Sequence, residues 1–480
     1  MNRSSDTDVS IPVVVDLDGT LTPVDTLHEA IVRYLLRGHV IAFLNMCIWL
    51  LKGKPFFKNQ MALLQPIDLS LIPWNDDVIA YIRDQKKNGR TIILCTASNQ
   101  LVAKKVCDYF KEFDAAFGSN STHNLNGVNK RNFLDQKFGK GNYEYIGNSY
   151  SDLLVWKHSS FAVIKSTNRS LQPKVEALGI PMRSMSVNYS LSQVFTKQLR
   201  LHQWVKNLLI FVPLIAAHEY GDFQKGTAAI AAFLTFGLLA SGTYIINDII
   251  DIDADRSHPE KKYRPIAAGS IPIIYGLLAS LILLISAISI AFSISANFAY
   301  VLLGYLIYSI MYSVYFKSAI IIDIISLGIL FTVRIVAGMA ACALVISPLL
   351  LIFSFFIFLS LAGMKRYTEL KKKNESSDHD RRSYHADDKL PVMIIGFTSA
   401  YTSVAIFAIY LLSEASQEYF SGTFPIVLTI PVLVYWLSYM WMKAVKFQLH
   451  HDPVVVALKD KTSLIAGFIF VFIFIISSYL

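Results

Sequence analysis

The chain has 480 residues, of which 54% are apolar and only 16% charged, and it carries a formal net charge of +9. Soluble globular proteins hold about 25% charged residues, so a wholly soluble chain is excluded and much of this one belongs in lipid. The cations cluster in short loops between apolar segments, which argues for a membrane surface rather than nucleic acid as their partner.

Residues 1 to about 195 read as one soluble domain, with mixed charge and Gly, Asn and Ser turns. The polar opening MNRSSDTDVS gives no cleavable signal peptide. VVVDLDGTLT predicts a strand over Val13 to Val15, apolar on both faces as in a covered parallel sheet. Asp16 and Asp18 follow at its carboxyl end, where open α/β sheets place their chemistry. Two carboxylates there can hold Mg²⁺ through hard oxygens, and one can attack phosphorus. Residues 26–80 follow this strand, and their segment HVIAFLNMCIWLLKG is unusually apolar. A later strand, RTIILCTAS, ends at Thr96; GVNKRNFL carries Lys130; YIGNSYSDL carries Asn148 and Asp152. Cys47, Cys95, Cys107 and Cys342 have no metal-ligand spacing, and the first three read as reduced thiols of a cytoplasmic compartment.

These four stretches resemble, in order, the four motifs of the haloacid-dehalogenase phosphohydrolases. The resemblance implies a Rossmann-like α/β domain with residues 26–80 as an inserted helical cap, whose apolar segment is either buried within the cap or set against the bilayer or the membrane domain. It implies Asp16 as nucleophile, Asp18 as general acid/base, Thr96 and Lys130 as phosphate ligands, and Asp16, Asp18 and Asp152 around Mg²⁺. The family usually has an acidic residue after the Gly of the last motif. Asn148 stands there instead, which weakens the expected metal affinity.

From about residue 205, apolar segments alternate with short polar ones at the length of about 20 residues that a membrane span needs. Spans are expected at 203–218, 226–247, 271–292, 295–316, 319–341, 345–362, 390–412, 423–442 and 463–480. With the first domain in the cytoplasm, the loops 250–270, 363–389 and 443–461 on its side hold 16 Lys and Arg, whereas the opposite loops hold only Lys225. This is the positive-inside pattern.

The second span ends in NDIIDIDAD. Asp248, Asp251 and Asp255 have the spacing of one helix face, where like charges repel. Beside hydrocarbon such residues are functional by default. Mg²⁺ would remove the repulsion, with Asn247 as a further oxygen donor, and Mg²⁺ bound by few carboxylates implies a phosphorylated ligand. Arg256, Lys261, Lys262 and Arg264 could meet its remaining charge. RLHQWVKNLLIFVP puts Gln203, Lys206 and Asn207 at the mouth of the first span. Tyr312, Lys317, Asp323 and Arg334 lie in very apolar surroundings and should pair or line a polar cavity. The loop 363–389 offers Lys365, Arg366, Glu369, Arg382 and Tyr384, and its Lys371 to Lys373 run reads as surface charge near anionic lipid. Asp452 and Asp460 in the last loop either support the site or cap a helix.

NDIIDIDAD resembles the first aspartate-rich motif of the UbiA superfamily of intramembrane prenyltransferases. DRSHPEKKYRPIAAG, RLHQWVKNLLIFVP and the KR–EL–R–Y pattern of loop 363–389 resemble its decaprenyl-phosphate phosphoribosyltransferase branch, over about residues 197–480. The resemblance implies a multi-pass all-α membrane domain in a bacterial inner membrane, with the first domain cytoplasmic. It implies Mg²⁺-dependent transfer of 5-phosphoribose from phosphoribosyl pyrophosphate to a polyprenyl phosphate, in the synthesis of cell-envelope arabinan precursors. Asp248, Asp251 and Lys317 would be catalytic, with Asn247, Asp248, Asp251 and Asp255 at the metal. Lys206, Asn207, Arg256, Lys261, Arg264, Tyr312, Asp323, Arg334, Lys365 and Arg366 would bind substrate. The partners are the two substrates and membrane lipids, with no nucleic acid, and a homo-oligomer stays open. Many superfamily members carry a second DxxxD motif. Here Asp323 is followed by Leu327, which disfavours the alternative of a prenyl diphosphate and an aromatic or quinone-precursor acceptor beside a non-catalytic first domain. Stacked carboxylates at one loop, without inverted repeats, disfavour a transporter. The fused first domain is expected to remove the 5-phosphate.

Overall fold

The computed structural model describes residues 10–65, 67–120, 123–168, 170–185, 190–345, 347–372, 384–413, 426–446 and 452–479. It divides into two compact units, Met1–Gln198 with Asp251–Leu277, and Leu199–Ile250 with Leu278–Leu480. The polar loop after the aspartate-rich stretch, expected to belong to the membrane domain, groups instead with the first unit.

The first unit is built on a six-stranded sheet of β1 (Val13–Val15), β2 (Ile92–Asn99), β3 (Ala115–Ser119), β4 (Glu144–Gly147), β5 (Phe161–Ile164) and β6 (Met182–Ser184). All pairs are parallel, in the order β3-β2-β1-β4-β5-β6. The chain reverses its direction of growth between β1 and β4, so the crevice beyond these two strands is the topological switch point where such sheets bind ligands. The valines of β1 are fully buried, with Val13 and Val15 in one apolar cluster and Val14 in the other. Asp25 caps the first cap helix (Thr26–Leu51) by accepting from the N–H groups of Leu27 and His28. A second cap helix covers Lys54–Leu64. The cap is shorter than expected. Helix Asp76–Lys87, which falls partly within 26–80, buries Val78, Ile79 and Ile82 in the sheet's own core.

The second unit is helical. Among the described residues, six helices are long and apolar enough to cross a membrane: Phe223–Ile250, Ile273–Ile294, Ala296–Val314, Ile320–Cys342, Pro348–Lys371 and Lys389–Leu411. The first few residues of the second of these fall in the other unit. The remaining three expected spans are shorter apolar segments, at Leu201–Ala216, Thr429–Val445 and Lys461–Ser477. The first of them is a run of 3-10 turns over Leu201–Phe211 and a short α-helix over Val212–Ala216, not the regular helix expected. Two neighbours explain its depth. At Gly338 an added Cβ would lie 2.1 Å from the Ile210 carbonyl oxygen, so only glycine admits this backbone. Trp204 donates its Nε1–H to Ser241 Oγ at 3.0 Å. Lys206 and Asn207 are thereby carried into the interior.

Candidate active sites

At the switch point of the first unit, Asp16, Thr96, Lys130 and Asp152 are all buried. Lys130 Nζ lies 2.9 Å from Asp16 Oδ1 and donates to Tyr145 Oη at 2.9 Å. Tyr145 donates in turn to Asp152 Oδ1 at 2.8 Å. Asp152 Oδ2 accepts from the N–H groups of Asn148 and Ser149 and from Ser149 Oγ. Asp18 accepts from Ser98 Oγ at 2.5 Å and from the Thr26 N–H at 2.8 Å. Thr96 Oγ1 accepts from the Ser98 N–H, which leaves its own proton to donate. Burial pushes the Asp16 carboxyl up to about 6, with Lys130 pulling against it and Asp152 adding to it. Burial and the Asp25 charge push Asp18 up to about 7. Burial alone would lower the Lys130 pKa, but Asp16 and Asp152 outweigh it and hold the ammonium charged.

The four expected motif residues are therefore gathered at one place. Sequence reasoning missed Ser98, Tyr145 and Lys58. Lys58 reaches from the second cap helix to donate to the Ala97 carbonyl at 2.9 Å and to Asn124 Oδ1 at 3.2 Å. The amide of Asn148 sits against Gly19, where an added Cβ would come within 2.0 Å of its Nδ2. Gly19 also has φ +74°, so the turn after Asp18 admits no side chain on either ground. As ligands for Mg²⁺, Asp16, Asp18 and Asp152 offer the right atoms. Their present bonding does not converge on one point, since Asp152 already accepts four hydrogen bonds and Asn148 is neutral.

In the second unit the expected cluster of Tyr312, Lys317, Asp323 and Arg334 separates into two. Asp323 is fully buried and pairs with Arg366, whose Nη2 donates to Asp323 Oδ1 at 2.8 Å. Tyr312 donates to the same oxygen at 2.9 Å and Tyr384 to Oδ2 at 3.2 Å. Arg366 also pairs with Glu369. Arg366 is thus tied to the buried Asp323 carboxylate and to Glu369. Lys317 is buried in a 3-10 turn (Phe316–Ser318) just ahead of helix Ile320–Cys342.

Arg334 belongs to the other group. It donates to Asn207 Oδ1 at 3.1 Å, to Tyr305 Oη at 3.3 Å and to the Leu330 carbonyl. The rings of Phe236, Tyr305 and Phe331 surround its guanidinium at 5.2–5.4 Å. Among the described residues no carboxylate pairs with it. Lys206 lies over the same Phe331 ring at 5.4 Å and donates to Asp452 Oδ2 at 2.7 Å; Lys365 reaches that oxygen at 3.3 Å. Asn207 Nδ2 is buried and has no hydrogen-bond partner among the described residues. Three cations, one carboxylate and an idle amide donor make a partly buried centre short of negative charge among the described residues, with Lys206, Asn207 and Arg334 buried and Lys365 one-third exposed. Sequence reasoning named Asp452 as a support of the site or a helix cap; its Oδ1 accepts from the Val454 N–H at 3.1 Å at the start of helix Pro453–Ala457, while its Oδ2 joins Lys206 to Lys365. Arg200, which it did not single out, pairs with the buried Asp248.

The aspartate-rich stretch is not one helix. The long helix stops at Ile250, and Asp251, with φ −93° and ψ 12°, starts a new one over Ile252–Ser257. The donor chemistry of one amide and three carboxylates still suits a hard cation, although among the described residues no three acidic, His or Cys groups converge on a metal position. Within the first unit, Arg264 pairs with Asp255 at 2.6 Å. Arg256 donates to both oxygens of Glu29 at 2.6 and 2.8 Å, and Arg33 pairs with Asp253 and Glu29. Arg256 was expected at substrate phosphate; its guanidinium is committed to Glu29 instead. Lys261 is half-buried in a 3-10 turn (Lys261–Tyr263). Asp460 accepts from the Ser463 N–H at 3.0 Å and pairs with Lys443, so it caps the last helix. Arg382 and Lys373 lie outside the described residues.

Long apolar helices around a buried cationic centre define a polytopic membrane protein. The sequence pattern of the UbiA prenyltransferase family matches residues 207–458, and the chain belongs to that family. It is thereby placed among membrane enzymes that act on prenyl phosphates or diphosphates. It is 34% identical over 465 residues to the uncharacterized protein y4nM of Sinorhizobium fredii, covering 96% of this chain and 90% of that one. It is 28% identical to the nodulation protein NoeC of Azorhizobium caulinodans, over 56% of this chain and 89% of NoeC. It is 29% identical to decaprenyl-phosphate phosphoribosyltransferase of Mycobacterium tuberculosis, over 55% of this chain and 87% of that enzyme. The match to y4nM runs through both units, so their fusion is shared by a second protein.

Proposed function

We propose that the second unit transfers 5-phosphoribose from phosphoribosyl pyrophosphate to a polyprenyl phosphate. The observation that carries this reading is the buried centre of Lys206, Asn207, Arg334 and Lys365 with Asp452 as its one carboxylate. A buried guanidinium with only neutral and aromatic partners is costly, and a phosphate would complete it through charge-assisted bonds. The likeness to decaprenyl-phosphate phosphoribosyltransferases adds support. So does Asp323, which is tied to Arg366 and Tyr312 and followed by Leu327 where a second aspartate-rich motif would continue.

Asn247, Asp248, Asp251 and Asp255 would hold Mg²⁺, which when bound supplies neutralising charge for a departing pyrophosphate. The protein's own groups do the rest. Lys206, Arg334 and Lys365 bind and orient phosphate, Asn207 Nδ2 donates to it, and the aromatic ring cluster keeps water from Arg334. The bond from ribose C1 to pyrophosphate breaks, and a polyprenyl phosphate oxygen bonds to C1. The acceptor is already an anion, so no protein base is required. Lys317 is assigned to positioning phosphate.

The first unit is proposed to remove the 5-phosphate of that product. Asp16 attacks phosphorus, forming an aspartyl-phosphate, while Asp18, protonated near neutral pH, gives its proton to the leaving ribose oxygen. Thr96 and Lys130 hold the phosphoryl group. No step here is routed through Mg²⁺. The proposed orientation is cytoplasmic for this unit, in a bacterial inner membrane. The test is to incubate membranes with labelled phosphoribosyl pyrophosphate and polyprenyl phosphate and to assign the lipid product by mass.

A further inference from the structure

The cap of the first unit carries an apolar surface that the chemistry above does not use. Over Ile41–Leu51 the first cap helix is apolar. One of its faces is satisfied: Ala42 and Met46 are buried, Met46 packs with Phe57 and Met61 of the second cap helix, and Trp49 lies 5.4 Å from Tyr34. A surface helix should be polar on the side facing away from its core. Here Ile41, Phe43, Leu44, Ile48, Leu50 and Leu51 are each 50–89% exposed. Ile41, Leu44, Ile48 and Leu51 follow the 3- and 4-residue steps of a single stripe. Soluble surfaces rarely leave so large an apolar patch open.

The charges around the patch say what covers it. From Ala30 to Ile67 the sequence contains no Asp or Glu; Arg33 and Lys58 are engaged within the first unit, by Glu29 and Asp253 and by the Ala97 carbonyl, which leaves Lys52 and Lys54 for the patch. Lys52 and Lys54 stand exposed at the turn that ends the stripe. An apolar stripe edged by cations, without a single carboxylate, matches the interface of a bilayer containing anionic lipid. The same chain already carries bilayer-crossing helices.

We propose that the cap tip, Ile41–Leu51 with Lys52 and Lys54, is a membrane-dipping element that seats in the headgroup–acyl boundary. It enters roughly 5–10 Å, as interfacial helices do. The inference does not depend on whether the adjacent site hydrolyses phosphate. If it does, the element brings the cap to the surface from which a lipid-borne substrate would be drawn.

Cys47 lies on this segment and is exposed, whereas Cys95 and Cys342 are buried. A full-length Cys107→Ser protein can therefore be labelled at Cys47 with bimane and reconstituted into nanodiscs containing phosphatidylglycerol. The expected result is strong quenching by lipids brominated on the acyl chain and weak quenching by aqueous iodide. Leu44→Ser/Ile48→Ser/Leu51→Ser should reverse that order with helix content unchanged. Lys52→Gln/Lys54→Gln, or discs of phosphatidylcholine alone, should reduce the lipid quenching. A label open to iodide, or one shielded from both quenchers by protein, overturns the proposal. So does lipid quenching that the triple substitution leaves intact.

Discussion

Replacing Asp452 by Asn tests the buried cationic centre at its one negative charge. The Lys206–Asp452 pair is 2.7 Å long, with side chains 9% and 15% exposed. Removing one partner from a buried pair of this kind costs about 3–5 kcal/mol, because the other charge stays behind unpaired. The Lys365 contact is longer, at 3.3 Å, and the lysine is one-third exposed, so screening holds its share below about 1 kcal/mol. The expected loss of about 4 kcal/mol corresponds to roughly 10 °C in the melting temperature of a unit of this size. Purified protein in detergent, melted with and without pyrophosphate, gives the assay. The variant should melt well below wild type, and pyrophosphate should restore more of its stability than it adds to wild type. The pH dependence has a fixed sign. Burial raises the Asp452 pKa, but Lys365 and Lys206 more than reverse this and hold it well below the usual carboxylate range. Its contribution is therefore complete above about pH 4, the unfolded value, and is lost as pH falls further. A variant that melts with wild type and gains nothing extra from pyrophosphate would refute the reasoning.

Asp248→Asn and Asp251→Asn should each reduce phosphoribosyl transfer by 10²–10³-fold or more, the scale of a lost electrostatic group of about 3–4 kcal/mol; transfer at normal rate in EDTA would contradict a cation at this stretch. Asp16→Asn should leave transfer intact and accumulate the lipid-linked phosphoribose with its 5-phosphate, followed by mass; accumulation of the same species by wild type would remove the phosphatase reading. Glu29→Ala leaves Arg256 and Arg33 without their shared carboxylate, and should destabilise the first unit by about 3–5 kcal/mol, read as faster amide exchange across residues 251–277. Asp16 and Asp18 have raised pKa values of about 6 and about 7, so the folded state binds their protons more tightly than the unfolded chain. In EDTA the first unit should lose stability as pH rises from about 4 to about 7 and level off above, the opposite of the Asp452 trend, measured by its thermal unfolding.

What could be read in the sequence was what lies close together along it. The run Val13–Asp18 specified a buried strand and two carboxylates at its end, and the parallel sheet sets them at its switch point. The long apolar helices were equally plain, because hydrophobic length is a local property. Pairings across long stretches of chain were not legible. Lys206 meets Asp452 across 246 residues, and Arg256 meets Glu29 across 227. Such partners have no spacing to betray them, which is why Arg256 looked available for phosphate and the role of Asp452 was left between site support and helix cap. Local breaks were also hidden. The helical spacing of Asp248, Asp251 and Asp255 suggested one helix, but the long helix ends at Ile250 and the chain begins a new one after Asp251. The 3-10 run at Leu201–Phe211 depends on the bare backbone at Gly338, a partner more than a hundred residues away.

The central claim is the identity of the donor and acceptor in the second unit. The most direct measurement supplies purified protein with phosphoribosyl pyrophosphate and polyprenyl phosphate, and in parallel with a prenyl diphosphate and an aromatic acceptor, and weighs the lipid products. The account predicts a polyprenyl phosphate heavier by ribose, with its 5-phosphate retained only in Asp16→Asn, and pyrophosphate released. A prenylated aromatic product, with no pentose on the polyprenyl phosphate, would contradict it.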